Sequence, residues 1–71
     1  MSWEKSVFSS NVESIGFNSD TGEMTVRWTT GKVSAYQGVP EDLADEISRS
    51  YSVGSMIASE IKGKFSHRYV G

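Results

Sequence analysis

The chain has 71 residues, no cysteine, a single histidine and a formal net charge of −2. So short a chain holds one small core, and the missing cysteines exclude disulfides and thiolate zinc sites. No apolar run approaches the ~20 residues of a membrane span, so we expect a cytoplasmic protein without membrane contact. Self-association is the supplement left to a core of this size.

Residues 1–10 alternate poorly between apolar and polar side chains and predict an extended lead-in ahead of a single domain at 11–71. Trp3 and Phe8 are its large aromatic residues. In a core this small they either cover one edge of the core or remain available to a partner.

Three strands follow, at 12–17, 23–29 and 32–36. The second is the clearest, because Met24, Val26 and Trp28 alternate with polar residues at the period of a half-buried strand. Short polar and glycine-containing turns separate the three runs. The sequence therefore predicts a three-stranded antiparallel meander.

Two helices are predicted after this meander. Pro40 suits the first turn of a helix, and an apolar stripe follows at helical spacing, formed by Leu43, Ala44, Ile47 and Tyr51. Ser52 begins the second helix, and Gly63 ends it in the left-handed conformation. We expect an α+β fold in which both helices pack on one face of the sheet, followed by an extended or irregular tail at 64–71.

Residues for ordinary catalysis are missing from the sequence. The only histidine, His67, lies in the tail, where a rigid catalytic base is not expected. No phosphate-binding glycine loop is present, and the acidic residues at 41–46 fit a solvated helix face. We expect neither an enzyme nor a bound cofactor or metal.

Several short motifs, in order, resemble the KTSC domain family across about residues 7–70. They are Ser9-Ser10-Asn11-Val12, Ile15-Gly16-Phe17, Met24-Thr25-Val26-Arg27-Trp28, Gly31-Lys32-Val33, Tyr36-Gln37-Gly38-Val39-Pro40, Ser52-Val53-Gly54 and Ile61-Lys62-Gly63-Lys64-Phe65. This family is a short module of unestablished role, found at the C-terminus of some lysyl-tRNA synthetases and alone in small bacterial and phage proteins. The sequence departs from it at Ser34, where an aromatic residue is usual, and at Ile57-Ala58, where an aromatic followed by Asn is common.

Three functions remain open. The favoured one is a non-enzymatic protein-interaction module of phage or bacterial origin that contacts a host or phage protein through Trp3, Phe8 and Tyr36. The second is an accessory RNA, tRNA or other nucleic-acid binder, whose candidate residues form the basic C-terminal segment: Lys62, Lys64, His67 and Arg68. The third is a homo-oligomeric structural component.

Tyr36 bears on the first two of these hypotheses. It alternates away from Val33 and Ala35, so an aromatic ring could lie beside the cations of the tail and suit a base or a phosphate. Alternatively, Tyr36 packs under the helices, and Lys62 and Lys64 stabilise a helix C-terminus.

Overall fold

The protein folds as a five-stranded antiparallel sheet with its helices inserted before the last strand. The computed structural model describes residues 1–70. Its elements are β1 (Ser2–Ser6), β2 (Val12–Asn18), β3 (Glu23–Trp28), β4 (Val33–Gln37), α1 (Glu41–Ser48), α2 (Val53–Met56), a π-helical segment (Ile57–Ile61) and β5 (Ser66–Tyr69). The strands lie in sequence order, β1-β2-β3-β4-β5. Gly71, the end of the predicted tail, lies outside the described residues.

The predicted three-stranded meander is wrong, although the α+β class is correct. Within the residues assigned to a lead-in, β1 pairs with β2 and places Trp3 opposite Phe17. Of its five residues only Trp3 is apolar, and the other four are exposed. The apolar alternation that identifies a strand is therefore absent.

The fifth strand corrects the prediction of an irregular tail. β5 pairs with β4 in a register that sets His67 opposite Tyr36. All four residues of β5 are exposed, as is common in a short strand at a sheet edge. Its position is fixed by backbone pairing to β4 rather than by burial, and pairing leaves no hydrophobic signal in the sequence.

One face of the sheet carries the core. The register groups Ile15, Phe17, Met24 and Val26 on this face, which we call the helix-side face. All four are buried. On the other face of β2, a Cβ at Gly16 would lie 2.5 Å from Thr25 Oγ1 of β3 and 3.4 Å from the Trp3 carbonyl of β1, so this position has no room for a side chain.

The helices begin close to the predicted positions, but the first is shorter than predicted. α1 follows Pro40, ends at Ser48 and buries Ala44 and Ile47. Tyr51, predicted to continue the apolar stripe, is fully exposed because the helix ends before it.

The second helix changes its winding. After α2 the backbone passes into the π-helical segment, and the Lys62 amide donates to the Ile57 carbonyl at 2.9 Å, five residues back. Ile57 and Ile61 of the π-helical segment and Val53 of α2 are buried, so both parts of the second helix contribute to the core. The segment ends at Ile61, and Gly63 follows two residues later with φ 79°, which confirms its predicted left-handed conformation.

The helices leave part of the helix-side face uncovered. α1 packs against β2, and the apolar side chains of α2 and the π-helical segment join the same core. At the β5 edge of this face, Tyr69 keeps 64% of its surface exposed. The fold therefore leaves the helix-side face open at β5, whereas Ser34 and Tyr36 of β4 are buried on the same face.

Candidate functional site

A cleft of about 470 Å³ lies over this open part of the sheet. Its walls come from the loop before β2, the end of β3, the β3–β4 turn, β4, β5 and the residues after the π-helical segment. We call it the aromatic cleft, and its lining consists of Asn11, Trp28, Thr29, Thr30, Lys32, Ser34, Tyr36, Lys62, Gly63, His67 and Tyr69.

A row of three rings in contact forms the floor of the aromatic cleft. The ring centroids of Tyr36 and His67 lie 4.8 Å apart, and the His67 ring meets Tyr69 edge-on at 4.7 Å. Tyr36 is buried, whereas Tyr69 is largely exposed. The row therefore runs from the core to an accessible ring at the edge of the sheet.

A fourth ring comes from the neighbouring strand. The Trp28 indole Nε1 donates a hydrogen bond of 2.8 Å to Ser34 Oγ. This bond fixes the indole plane beside β4, because an indole has a single donor and one orientation satisfies it. The family resemblance implies an aromatic residue at position 34, where this chain has Ser34. Trp28 therefore places an aromatic ring beside the position at which the family's aromatic residue is absent.

Two lysines lie over these rings. Lys32 Nζ is 5.5 Å from the Tyr69 ring centroid, and Lys62 Nζ is 5.7 Å from that of Trp28. Lys32 follows the β3–β4 turn, where Gly31 has φ 96°, and Lys62 stands between the π-helical segment and Gly63. Both cations lie within the distance at which a ring face attracts them.

These lysines differ from the other cationic side chains of the protein. Five of the seven Lys and Arg residues form salt bridges. Within residues 1–70, Lys32 and Lys62 form none, and no Asp or Glu lines the aromatic cleft. The protein is acidic overall, but this cleft is locally positive, and among residues 1–70 no side-chain carboxylate lines it.

The Tyr36 hydroxyl holds its proton more tightly than an exposed tyrosine does. Burial raises the pKa of Tyr36 above its ordinary 10.0, and the neighbouring Tyr69 phenol raises that pKa further. A neutral phenol both donates and accepts a hydrogen bond. Tyr36 therefore adds a polar group to the cleft without adding negative charge.

The basic residues predicted as one nucleic-acid site are divided between two places. Lys62 and His67 line the aromatic cleft together with Tyr36. Arg68 points to the other face of the sheet, because side chains alternate along β5, and it pairs with Glu23 at 2.8 Å. Lys64 pairs with Glu60 at 3.2 Å and does not line the cleft.

The two N-terminal candidates have different environments. Trp3 is half-buried, with its ring centroid 5.9 Å from that of Phe17, and its indole donates to Glu41 at 3.0 Å. Phe8 is fully exposed. Neither residue lines the aromatic cleft.

Sequence reasoning did not assign Trp28, Lys32 or Tyr69 to a site. A signal for the first two exists, since residues 28, 32, 34 and 36 fall on one face once the β3–β4 hairpin is placed. Tyr69 joins them only through the pairing of β5, which the sequence did not predict.

Two features are absent from residues 1–70: a group of metal-ligating side chains and a membrane-spanning helix. These residues contain no group of three or more His, Cys, Asp or Glu side chains placed to hold a metal ion. No helix among them has both the length and the apolar character needed to cross a lipid bilayer.

Comparison with known proteins identifies the family. The profile of the KTSC domain matches residues 8–65, which is more than half of the chain. The chain belongs to the KTSC domain family. The crystal structure of a KTSC domain protein from Yersinia pestis has a TM-score of 0.90 and 30% sequence identity, over 100% of both chains. No curated protein matches the chain. The structural match includes β1, which precedes the part matched by the family profile.

Proposed function

We propose that this KTSC domain binds single-stranded nucleic acid, with one nucleotide unit in the aromatic cleft. One observation carries the proposal: Lys32 and Lys62, which lack a carboxylate partner in residues 1–70, both lie over aromatic rings in a cleft without acidic residues. Cations beside ring faces suit a ligand that is both anionic and planar.

Each part of a nucleotide has a suitable group in the cleft. The exposed Tyr69 ring offers a stacking face to a base, and the two lysine ammonium groups lie where they can neutralise adjacent phosphates. Asn11 and the threonine hydroxyls of the β3–β4 turn can hydrogen-bond to the sugar and the base edges. Stacking requires an unpaired base, so single strands are favoured over duplexes.

A protein partner, which the sequence favoured, receives less support from the geometry. Trp3 already contacts Phe17 and Glu41, so most of its ring is used within the fold. Tyr36 is 3% exposed and offers little contact area. Four expectations stay predictions from the sequence: a host or phage partner, a homo-oligomer, a phage or bacterial origin, and a cytoplasmic location.

The proposal is tested by fluorescence anisotropy with labelled single-stranded RNA, single-stranded DNA and a duplex. A dissociation constant of about 10–100 µM for single strands is expected, typical of binding without sequence preference. Two double variants are compared, K32Q/K62Q and K64Q/R68Q, and each of them removes two positive charges. Only K32Q/K62Q neutralises lysines of the aromatic cleft.

The expected results follow from counterion release. For the native protein, log K should fall with log salt at a slope of about −1.4 if the two lysines each contact one phosphate of a single strand. K32Q/K62Q should bring this slope close to zero, and K64Q/R68Q should leave it unchanged. Equal losses in the two variants would mean that net charge, rather than the aromatic cleft, governs binding, and the proposal would then be wrong.

A further inference from the structure

A second aromatic surface lies outside the aromatic cleft. Phe8 and Tyr51 are both fully exposed. Together they line a groove of about 410 Å³ between the segment after β1 and the start of α2, and also a smaller neighbouring groove of about 220 Å³. Two large rings without contacts that bury them are unusual in a chain that uses nearly all its other aromatic residues in packing.

The larger groove borders the aromatic cleft at one residue. Asn11 lines both of them. Its backbone is held in place, because its amide donates to Ser9 Oγ at 3.2 Å and its carbonyl accepts from the Thr29 amide at 2.9 Å. Asn11 is therefore a fixed boundary between the two cavities, and a strand held in the cleft would need to pass it to reach the larger groove.

The chemistry of this groove differs from that of the cleft. No charged residue lines it, and beside the two rings its walls are formed mainly by small side chains such as Ser52, Gly54 and Ala58. Without cations it offers little to a phosphate, but two exposed ring faces suit unpaired bases. Because no acidic residue lines this groove, it does not repel a polyanion bound in the aromatic cleft.

We propose that Phe8 and Tyr51 form a second base-stacking subsite, which binds the continuation of the strand held in the aromatic cleft. This inference rests on the proposed function and adds to it the ligand length: the natural ligand is an oligonucleotide rather than a mononucleotide. The cleft provides the phosphate contacts, and the second subsite provides stacking.

The test measures affinity against ligand length, with adenosine monophosphate and oligoadenylates of up to about eight nucleotides as probes. Native protein should gain affinity with length until both subsites are filled. F8A/Y51A should bind the mononucleotide as native protein does, yet bind the longest oligomer about ten-fold more weakly than native protein. Both residues are fully exposed, so the variant should keep its unfolding midpoint.

Two control variants separate stacking from other contacts. F8Y/Y51F keeps both rings and should retain the full gain with length. F8L/Y51L keeps apolar surface without ring faces and should lose the gain. If F8A/Y51A keeps the gain in affinity with length, the second subsite is wrong and the aromatic cleft is unaffected. If F8L/Y51L keeps that gain, the rings act as apolar surface, as they would toward a protein partner, and the second subsite is again wrong. If native protein binds neither mononucleotide nor oligomer, the proposed function and this inference both fail.

Discussion

Replacing Trp3 should destabilise the fold without weakening ligand binding. The ring of Trp3 packs against Phe17, its indole donates to Glu41, and Lys5 Nζ lies 4.8 Å above it. Truncating a fully buried Trp to Ala costs about 3–5 kcal/mol, so a half-buried one should cost about 2 kcal/mol. The lost hydrogen bond to a carboxylate at the surface adds about 0.5–1 kcal/mol.

W3A should therefore lower the free energy of unfolding by about 2.5–3 kcal/mol, a large part of the roughly 4–10 kcal/mol available to a domain of this size. At about 4–8 °C per kcal/mol, the unfolding midpoint should fall by about 10–20 °C. Calorimetry and urea unfolding measure both quantities. W3F keeps the contact with Phe17 and should recover most of the loss.

The opposite result would refute this reasoning. If W3A keeps the native unfolding midpoint but loses affinity for oligonucleotide or for a captured protein, Trp3 is a contact residue, as the sequence suggested, and β1 contributes little to stability.

Two further predictions concern pH. Burial raises the pKa of Tyr36, so the native state holds this proton more tightly than the unfolded chain does. The resulting stability is complete below pH 10 and is lost as the pH rises through the pKa of Tyr36 in the native state. In an ultraviolet titration of the three tyrosines, Y36F should lack the latest phase, and its presence there would assign that phase to another tyrosine. The hydrogen bond from Lys5 lowers the pKa of Asp45, and the charge of Arg49 lowers that pKa further, so this stability is present above pH 3.8 and is lost as the pH falls through the native value. D45N should therefore lower the unfolding midpoint near neutral pH but not in strong acid, and an equal loss at both pH values would contradict the assignment.

The middle of the fold is predictable because its elements bury their side chains. β3 alternates Met24 and Val26 with polar residues, and both side chains are fully buried. Two features follow from backbone preferences local to single residues: α1 starts after Pro40, and the chain turns at Gly63, two residues after the π-helical segment.

The edges of the sheet could not be predicted in this way. β5 is held mainly by hydrogen bonds to β4, and β1 by hydrogen bonds to β2 together with its one apolar side chain, Trp3. Backbone hydrogen bonds are open to any sequence that lacks proline, and one apolar residue makes no alternation. Tyr51 shows the converse error, since a helical spacing of apolar residues continues in the sequence after the backbone has left the helix.

The candidate site depended on these edges. From the sequence, Lys62, Lys64, His67 and Arg68 form one basic tail. Once β5 is a strand, its alternation sends His67 to the helix-side face and Arg68 to the other face. Proximity in sequence therefore grouped residues that the sheet separates, and it left out Lys32, which the β3–β4 hairpin brings to the aromatic cleft.

The most direct test of nucleic-acid binding at the aromatic cleft is a titration of isotope-labelled protein with a short single-stranded oligonucleotide, followed by amide NMR shifts. We expect saturable shifts at Lys32, Lys62 and Tyr69, with no comparable change at Arg27 or Glu23, whose side chains belong to the other sheet face. Shifts confined to that other face, or no shifts at all at millimolar oligonucleotide, would contradict the proposed function.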